Sequence, residues 1–177
     1  MWRKVVESGG CPHPALLAPL MTSFTGQSDH KLDTKGRLFV PRRLIDSVEE
    51  HSGRNHFVLT IGEDPCLYLF TLAGFEEHLA QLRELVQGKA DFSKIMRGVA
   101  GLSSKQDIDS QGRILLPEKM RAHVGLEKSV VVIGVFDHIE IWDEDLWNDR
   151  AKGSEQAYLD TAAIFFRGGP PAHGGAQ

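Results

Sequence analysis

Only two cysteines, Cys11 and Cys66, occur in the 177 residues, far apart and with no CxxC or His-paired spacing. That excludes a disulfide framework and a cysteine-based zinc site, and it makes the cytosol the expected compartment. The histidines are equally sparse in pattern: His30, His51, His56, His78, His123 and His138 form no HxxxH spacing and pair with no carboxylate motif, so solvated or packed rings are expected and no metal or cofactor. No apolar run approaches the ~18 residues that a membrane helix needs. A basic excess is also missing. Twenty lysines and arginines against 24 acids give a net charge of −4, so the total offers no prior for a nucleic-acid partner and the distribution along the chain has to decide. At the amino terminus Arg3 and Lys4 precede a short apolar run, but Glu7, the prolines and the lack of a small-residue cleavage site argue against a secretory signal.

What is present is the composition of a soluble globular protein, with 41% hydrophobic and 25% charged residues. Residues 1–22, with Gly9-Gly10 and three prolines, read as a flexible leader in which Met21 is a candidate translation start; 167–177, "RGGPPAHGGAQ", reads as a disordered tail. Between them the chain repeats itself. "LDTKGRLFVP" at 32–41 returns as "IDSQGRILLP" at 108–117, and "LYLF" at 67–70 returns as "IEIW" at 139–142. The expected organisation is a leader (1–22), a first repeat with an added helix (23–88), a second repeat (89–150) and a C-terminal helix remnant with the tail (151–177).

Each copy reads as local physics. Asp33 and Asp109 stand where a type I turn wants a side chain that caps a backbone amide, and Gly36 and Gly112 stand where it wants positive φ. Leu38, Phe39 and Val40, and likewise Ile114, Leu115 and Leu116, are unbroken apolar runs that predict short strands covered on both faces. Pro41 and Pro117 then open short helices. "HFVLTI" and "SVVVIG" follow as strands, then turns at Asp64-Pro65 and Asp137-His138, then "CLYLF" and "HIEIW". After the first copy an amphipathic helix places Phe75, Leu79, Leu82, Leu85 and Val86 on one face, and a short helix near 92–102 bridges to the second copy. Trp142 and Trp147 are expected to pack, and Cys66 to be buried. Some 45 ordered residues hold no stable core alone, so the copies should share strands, either with each other or with another chain, giving an α+β, β-rich, pseudo-symmetric fold in which two β-α-β repeats close, or nearly close, one barrel.

The charge is uneven. Lys31, Lys35, Arg37, Arg42 and Arg43 face only Asp33 within 31–43, whereas 137–149 holds six acids and no lysine or arginine. In the second copy Lys105, Arg113, Lys119 and Arg121 are set against Asp107, Asp109 and Glu118. Lys31, Lys35, Arg37, Arg42, Arg43, Lys105 and Arg113 are therefore the candidate DNA contacts, able to meet phosphates or reach guanine edges. Asp33, Gly36, Asp109 and Gly112 are read as structural turn residues. Two other classes compete. In one, acidic 137–149 docks a protein on an oligomeric scaffold. In the other, Asp-Thr-Lys-Gly and Asp-Ser-Gln-Gly imitate the Asp-Thr/Ser-Gly loops of two-lobed aspartic proteases; the extra residue before each glycine and the basic neighbours Lys35 and Arg37, which favour both acids ionised, oppose it.

The doubled motif, together with "LRELVQGKADFSKIMRGVAGLSSKQ" between the copies and "VVVIGVFDHIEIWDEDLW" after them, closely resembles the MraZ family of bacterial transcriptional regulators over roughly residues 24–150. The resemblance implies two AbrB-like halves in a swapped-hairpin barrel and a homo-oligomeric ring. It implies binding to repeats in double-stranded promoter DNA upstream of the division and cell-wall gene cluster that contains the family's own gene. It also implies a nucleoid-associated, non-enzymatic protein without membrane or small-molecule partners. The first motif's DNA-contacting role maps onto Arg37 with Lys35, and the second's onto Arg113. One departure stands out: family members begin Met-Phe-Arg-Gly, whereas this chain has Phe24-Thr25-Gly26 inside a longer amino terminus, without that arginine.

Overall fold

The computed structural model describes residues 23–46, 48 and 56–168, with side chains as far as Ala163. The expected leader and most of the expected tail lie outside the described residues. The first half runs β1 (Phe24–Lys31), β2 (Arg37–Phe39), α1 (Arg42–Asp46), β3 (His56–Ile61) and β4 (Cys66–Thr71). Two helices follow, α2 (Leu72–Val86) and α3 (Phe92–Gly101). The second half repeats the order with β5 (Ser103–Asp107), β6 (Arg113–Leu115), α4 (Glu118–His123), β7 (Ser129–Phe136) and β8 (His138–Asp143), and α5 (Glu144–Arg150) and α6 (Ser154–Gly168) complete the chain.

Six strands form one antiparallel sheet in the order β1-β7-β8-β4-β3-β5, and β2 pairs with β6 as a separate ribbon. The edge strands are exchanged between halves: β1 of the first half lies along β7 of the second, Phe24 opposite Phe136, while β5 of the second lies along β3 of the first. Replacing each strand by its counterpart turns this order into its own reverse, as a pseudo-twofold axis between β8 and β4 requires. Backbones approach closely at the β1 seam, where a Cβ on Gly134 would come within 2.6 Å of the Phe24 carbonyl carbon.

The strand sharing agrees with the need of two small halves for one core, but the barrel does not close. β2 and β6 are three residues long and pair only with each other, Leu38 opposite Ile114, so the ribbon lies across the sheet instead of joining its edges. Leu38 and Ile114, both fully buried, pack into the cluster formed by Leu59, Leu67, Ile139 and Ile141 from the sheet, Leu44 from α1 and Met120 from α4. A second, smaller cluster on the opposite face joins Cys66, Val131 and Trp142, with Trp147 from α5 against it. Asp143 caps α5, its carboxylate accepting from the Asp145 and Glu127 amides at 3.1 Å each.

Three local expectations are corrected. Phe39 and Leu115 are not covered on both faces: they stand 46% and 49% exposed, because a three-residue ribbon alternates and only its central residues reach the core. Leu85 is 68% exposed, since α2 packs through Val86 and the half-buried Phe75, Leu79 and Leu82. In the second copy the β-turn between β7 and β8 is centred one residue earlier than expected, Val135 pairing with His138 around Phe136, whose φ is +57°.

Candidate nucleic-acid interface

Both turns are built by the same carboxylate geometry. Asp33 Oδ1 accepts from the Lys35 and Arg37 amides, each at 2.9 Å, and Oδ2 accepts from Arg37 Nε at 2.7 Å. The Gly36 amide closes the turn on the Asp33 carbonyl, with Gly36 at φ +74°. In the second turn Asp109 Oδ1 accepts from the Gln111 and Arg113 amides, and Oδ2 accepts from Arg113 Nε at 2.9 Å and Nη2 at 2.8 Å. Each aspartate thus caps two backbone amides of its turn and fixes the guanidinium four residues on.

These bonds hold both acids ionised. The Arg37 amide first, then its guanidinium and the Lys35 amide, bring Asp33 down from the ordinary 3.8 to about 2. The Arg113 side chain first, and then backbone amides, lower Asp109. With the folded value below the unfolded one, the turn's contribution to stability is complete above about pH 4 and is lost as pH falls toward 2. A carboxyl-carbon NMR titration should therefore place the Asp33 midpoint near 2, and a midpoint near 3.8 would show that the carboxylate does not pin the turn. Each acid sits on its own arginine instead of sharing a proton with the other.

The ribbon brings the two arginines onto one face. Arg37 pairs with Leu115 and Phe39 with Arg113, flanking the central Leu38–Ile114 pair. Alternation turns the central pair into the core and the outer four residues to solvent. The result is a square in which the arginines occupy one diagonal and the exposed apolar residues the other. Arg113 Nη1 reaches within 4.0 Å of Asp33 Oδ2, linking the turns in a chain from Asp109 to Arg37. The arginines differ in what they leave free. Arg37 meets its aspartate through Nε alone, and among the described residues neither Nη has a partner; Arg113 spends Nε and Nη2 on Asp109 and turns Nη1 toward Asp33.

The other candidates divide. Lys35 is exposed at the tip of the first turn. Arg43 donates from Nη2 to the Gln27 carbonyl at 2.6 Å and lies over Gly26, beside His30, whose ring is 6.2 Å from that of Phe39. Arg42 is open to solvent, 3.9 Å from Asp46. Lys31 and Lys105 are exposed on the edge strands, but alternation puts them on the sheet face away from the ribbon, since their neighbours Leu32 and Gln106 point inward. The structure does not gather those two with the square.

Sequence reading missed Phe39 and Leu115 as surface residues, although their positions two on from Arg37 and Arg113 put them on the arginines' face. It also missed Arg121, which donates to the Leu116 carbonyl and lies 2.9 Å from where a Gly36 Cβ would stand. Only spatial proximity across the halves reveals that contact. Much of the acidic stretch is internally engaged: Asp143 caps α5, Glu140 accepts from Trp142 Nε1 at 2.7 Å, and Asp149 meets Lys152. Among the described residues no group of three or more His, Cys, Asp or Glu could hold a metal ion, and no helix is long and apolar enough to cross a membrane.

Comparison with known families agrees with the duplication. The family model described as "MraZ protein, putative antitoxin-like" matches the chain twice, over residues 23–94 and 101–163, once for each half. Those matches take in both turns, the ribbon and all eight strands, and the chain accordingly belongs to the MraZ family, a regulator-like family.

Proposed function

We propose that the chain is a sequence-specific DNA-binding transcriptional regulator, working as a symmetric homo-oligomer, ring-shaped as the family resemblance implies. Its targets are promoter repeats upstream of the division and cell-wall gene cluster that includes its own gene, and in the cell it is associated with the nucleoid. The observation that carries this reading is the outward face of the β2–β6 ribbon, where the part-exposed Arg37 and Arg113 lie on one diagonal, each held by its own pinned turn. A two-stranded ribbon fits the major groove, and a fixed guanidinium with free Nη groups matches a guanine edge or a phosphate. Lys35 at the turn tip and Arg43 over Gly26 add positive charge near this face, and Arg42 stands open to solvent on α1; Lys31 and Lys105, on the other side of the sheet, fit backbone phosphates at the rim or of a neighbouring segment.

The quartet of turn acids and arginines is neutral in sum, so one subunit holds few phosphates and affinity depends on many copies acting together. The reading is tested by a salt titration in gel shift with the DNA upstream of the gene. Log affinity should fall linearly with log salt at roughly −0.9 per phosphate neutralised, summed over the assembly. A response that stays flat from low to physiological ionic strength contradicts it.

A further inference from the structure

Phe39 and Leu115 present an unexplained feature of the ribbon: two large apolar side chains, each about half exposed, in a surface otherwise made of arginine and aspartate. Their neighbours in sequence, Leu38 and Ile114, are fully buried, so the exposure is a property of the outward face and not of a loose strand. Phe39 is also held in place. Its Cε2 would stand 3.2 Å from a Cβ on Gly112, so the ring of one half lies across the turn of the other. With Gly112 at φ +80° and no side chain there, the aromatic surface has a rigid seat.

From this placement, and resting on the DNA-binding reading above, we infer that Phe39 and Leu115 are specificity-determining residues that read thymine through its 5-methyl group in the major groove. The methyl is the one apolar feature on a base edge there, and apolar side chains are its usual partners. Spacing agrees. Phe39 and Leu115 are diagonal neighbours across the ribbon, ~7–8 Å apart, about two base-pair steps of a duplex that rises 3.4 Å per base pair. In the square each apolar residue sits directly across the ribbon from an arginine, Phe39 from Arg113 and Leu115 from Arg37. Each arginine therefore positions the apolar residue beside it when it grips a neighbouring base or phosphate. The adjacent charge favours a nucleic acid over an apolar protein surface as the occupant of this face.

The experiment compares the intact protein on two versions of the same upstream duplex, one containing thymine and one with uracil throughout, which removes only the methyl groups. Wild type should bind the thymine duplex more tightly, by roughly fourfold for each methyl covered, the factor expected for burying one such group. A Phe39→Ala/Leu115→Ala double variant should bind both duplexes alike, and Phe39→Leu should retain part of the preference. Equal wild-type affinity for both duplexes overturns this inference while leaving DNA binding intact. Absence of binding to either duplex overturns the DNA reading and this one with it. A lower assembly mass for the double variant in sedimentation, with the thymine preference kept, assigns the two side chains to contacts between subunits and also overturns it.

Discussion

Replacing Arg37 by alanine should lower affinity for the upstream DNA by roughly 5- to 150-fold per contact, the range expected for loss of one arginine that grips a guanine edge or phosphate through two nitrogens. Arg113→Ala should cost less. The difference follows from what each aspartate takes: Asp33 engages only Nε of Arg37, whereas Asp109 engages Nε and Nη2 of Arg113, whose Nη1 already leans toward Asp33. Fluorescence anisotropy at one fixed salt concentration measures both. Thermal unfolding should barely move in either variant, because a part-exposed ion pair contributes about 0–1 kcal/mol and Asp33 keeps its two backbone donors. Wild-type affinity in Arg37→Ala, or a larger loss in Arg113→Ala, removes the ordering on which the interface rests.

On stability the largest effects should come from the residue next door. Leu38→Ala and Ile114→Ala should each cost about 2–5 kcal/mol in urea denaturation, since both side chains are fully buried opposite one another and fasten the ribbon to the sheet. Phe39→Ala, one position on, should cost less, about 1–2 kcal/mol, since only half of the ring is covered, against Gly112. A comparable loss at positions 38 and 39 would mean that the outward face is covered in the assembled protein. The pair of measurements thus separates the residues that hold the ribbon from those it displays.

The sequence made the local elements readable because each is set by a short-range rule. Asp33 and Gly36, with their counterparts Asp109 and Gly112, announce turns whose carboxylate and positive-φ requirements are met within five residues. "HFVLTI" matches β3 residue for residue, and the bridging helix expected near 92–102 is α3. What escaped depends on partners distant in the chain. Three apolar letters in a row gave no sign that Phe39 and Leu115 turn outward, because that follows from β2 finding β6. Nor did they show an open sheet with a ribbon across it, since closure depends on how three-residue strands pair and not on the pattern within them. The charged candidates were legible as basic stretches, but Lys31 in the first and Lys105 in the second do not share a face with Arg37 and Arg113. Charge counted along a strand does not separate its two sides.

The exchange of β1 and β5 between the halves bears on how the protein is made. When the ribosome has released only the first half, Phe24–Lys31 has no strand to lie against, because its partner Ser129–Phe136 belongs to the half not yet made. Pairings so distant in sequence form slowly and leave edges open to aggregation in the meantime. The surface that displays Arg37 needs β6 beside β2 in the same way, so it first takes shape after translation has passed the second turn.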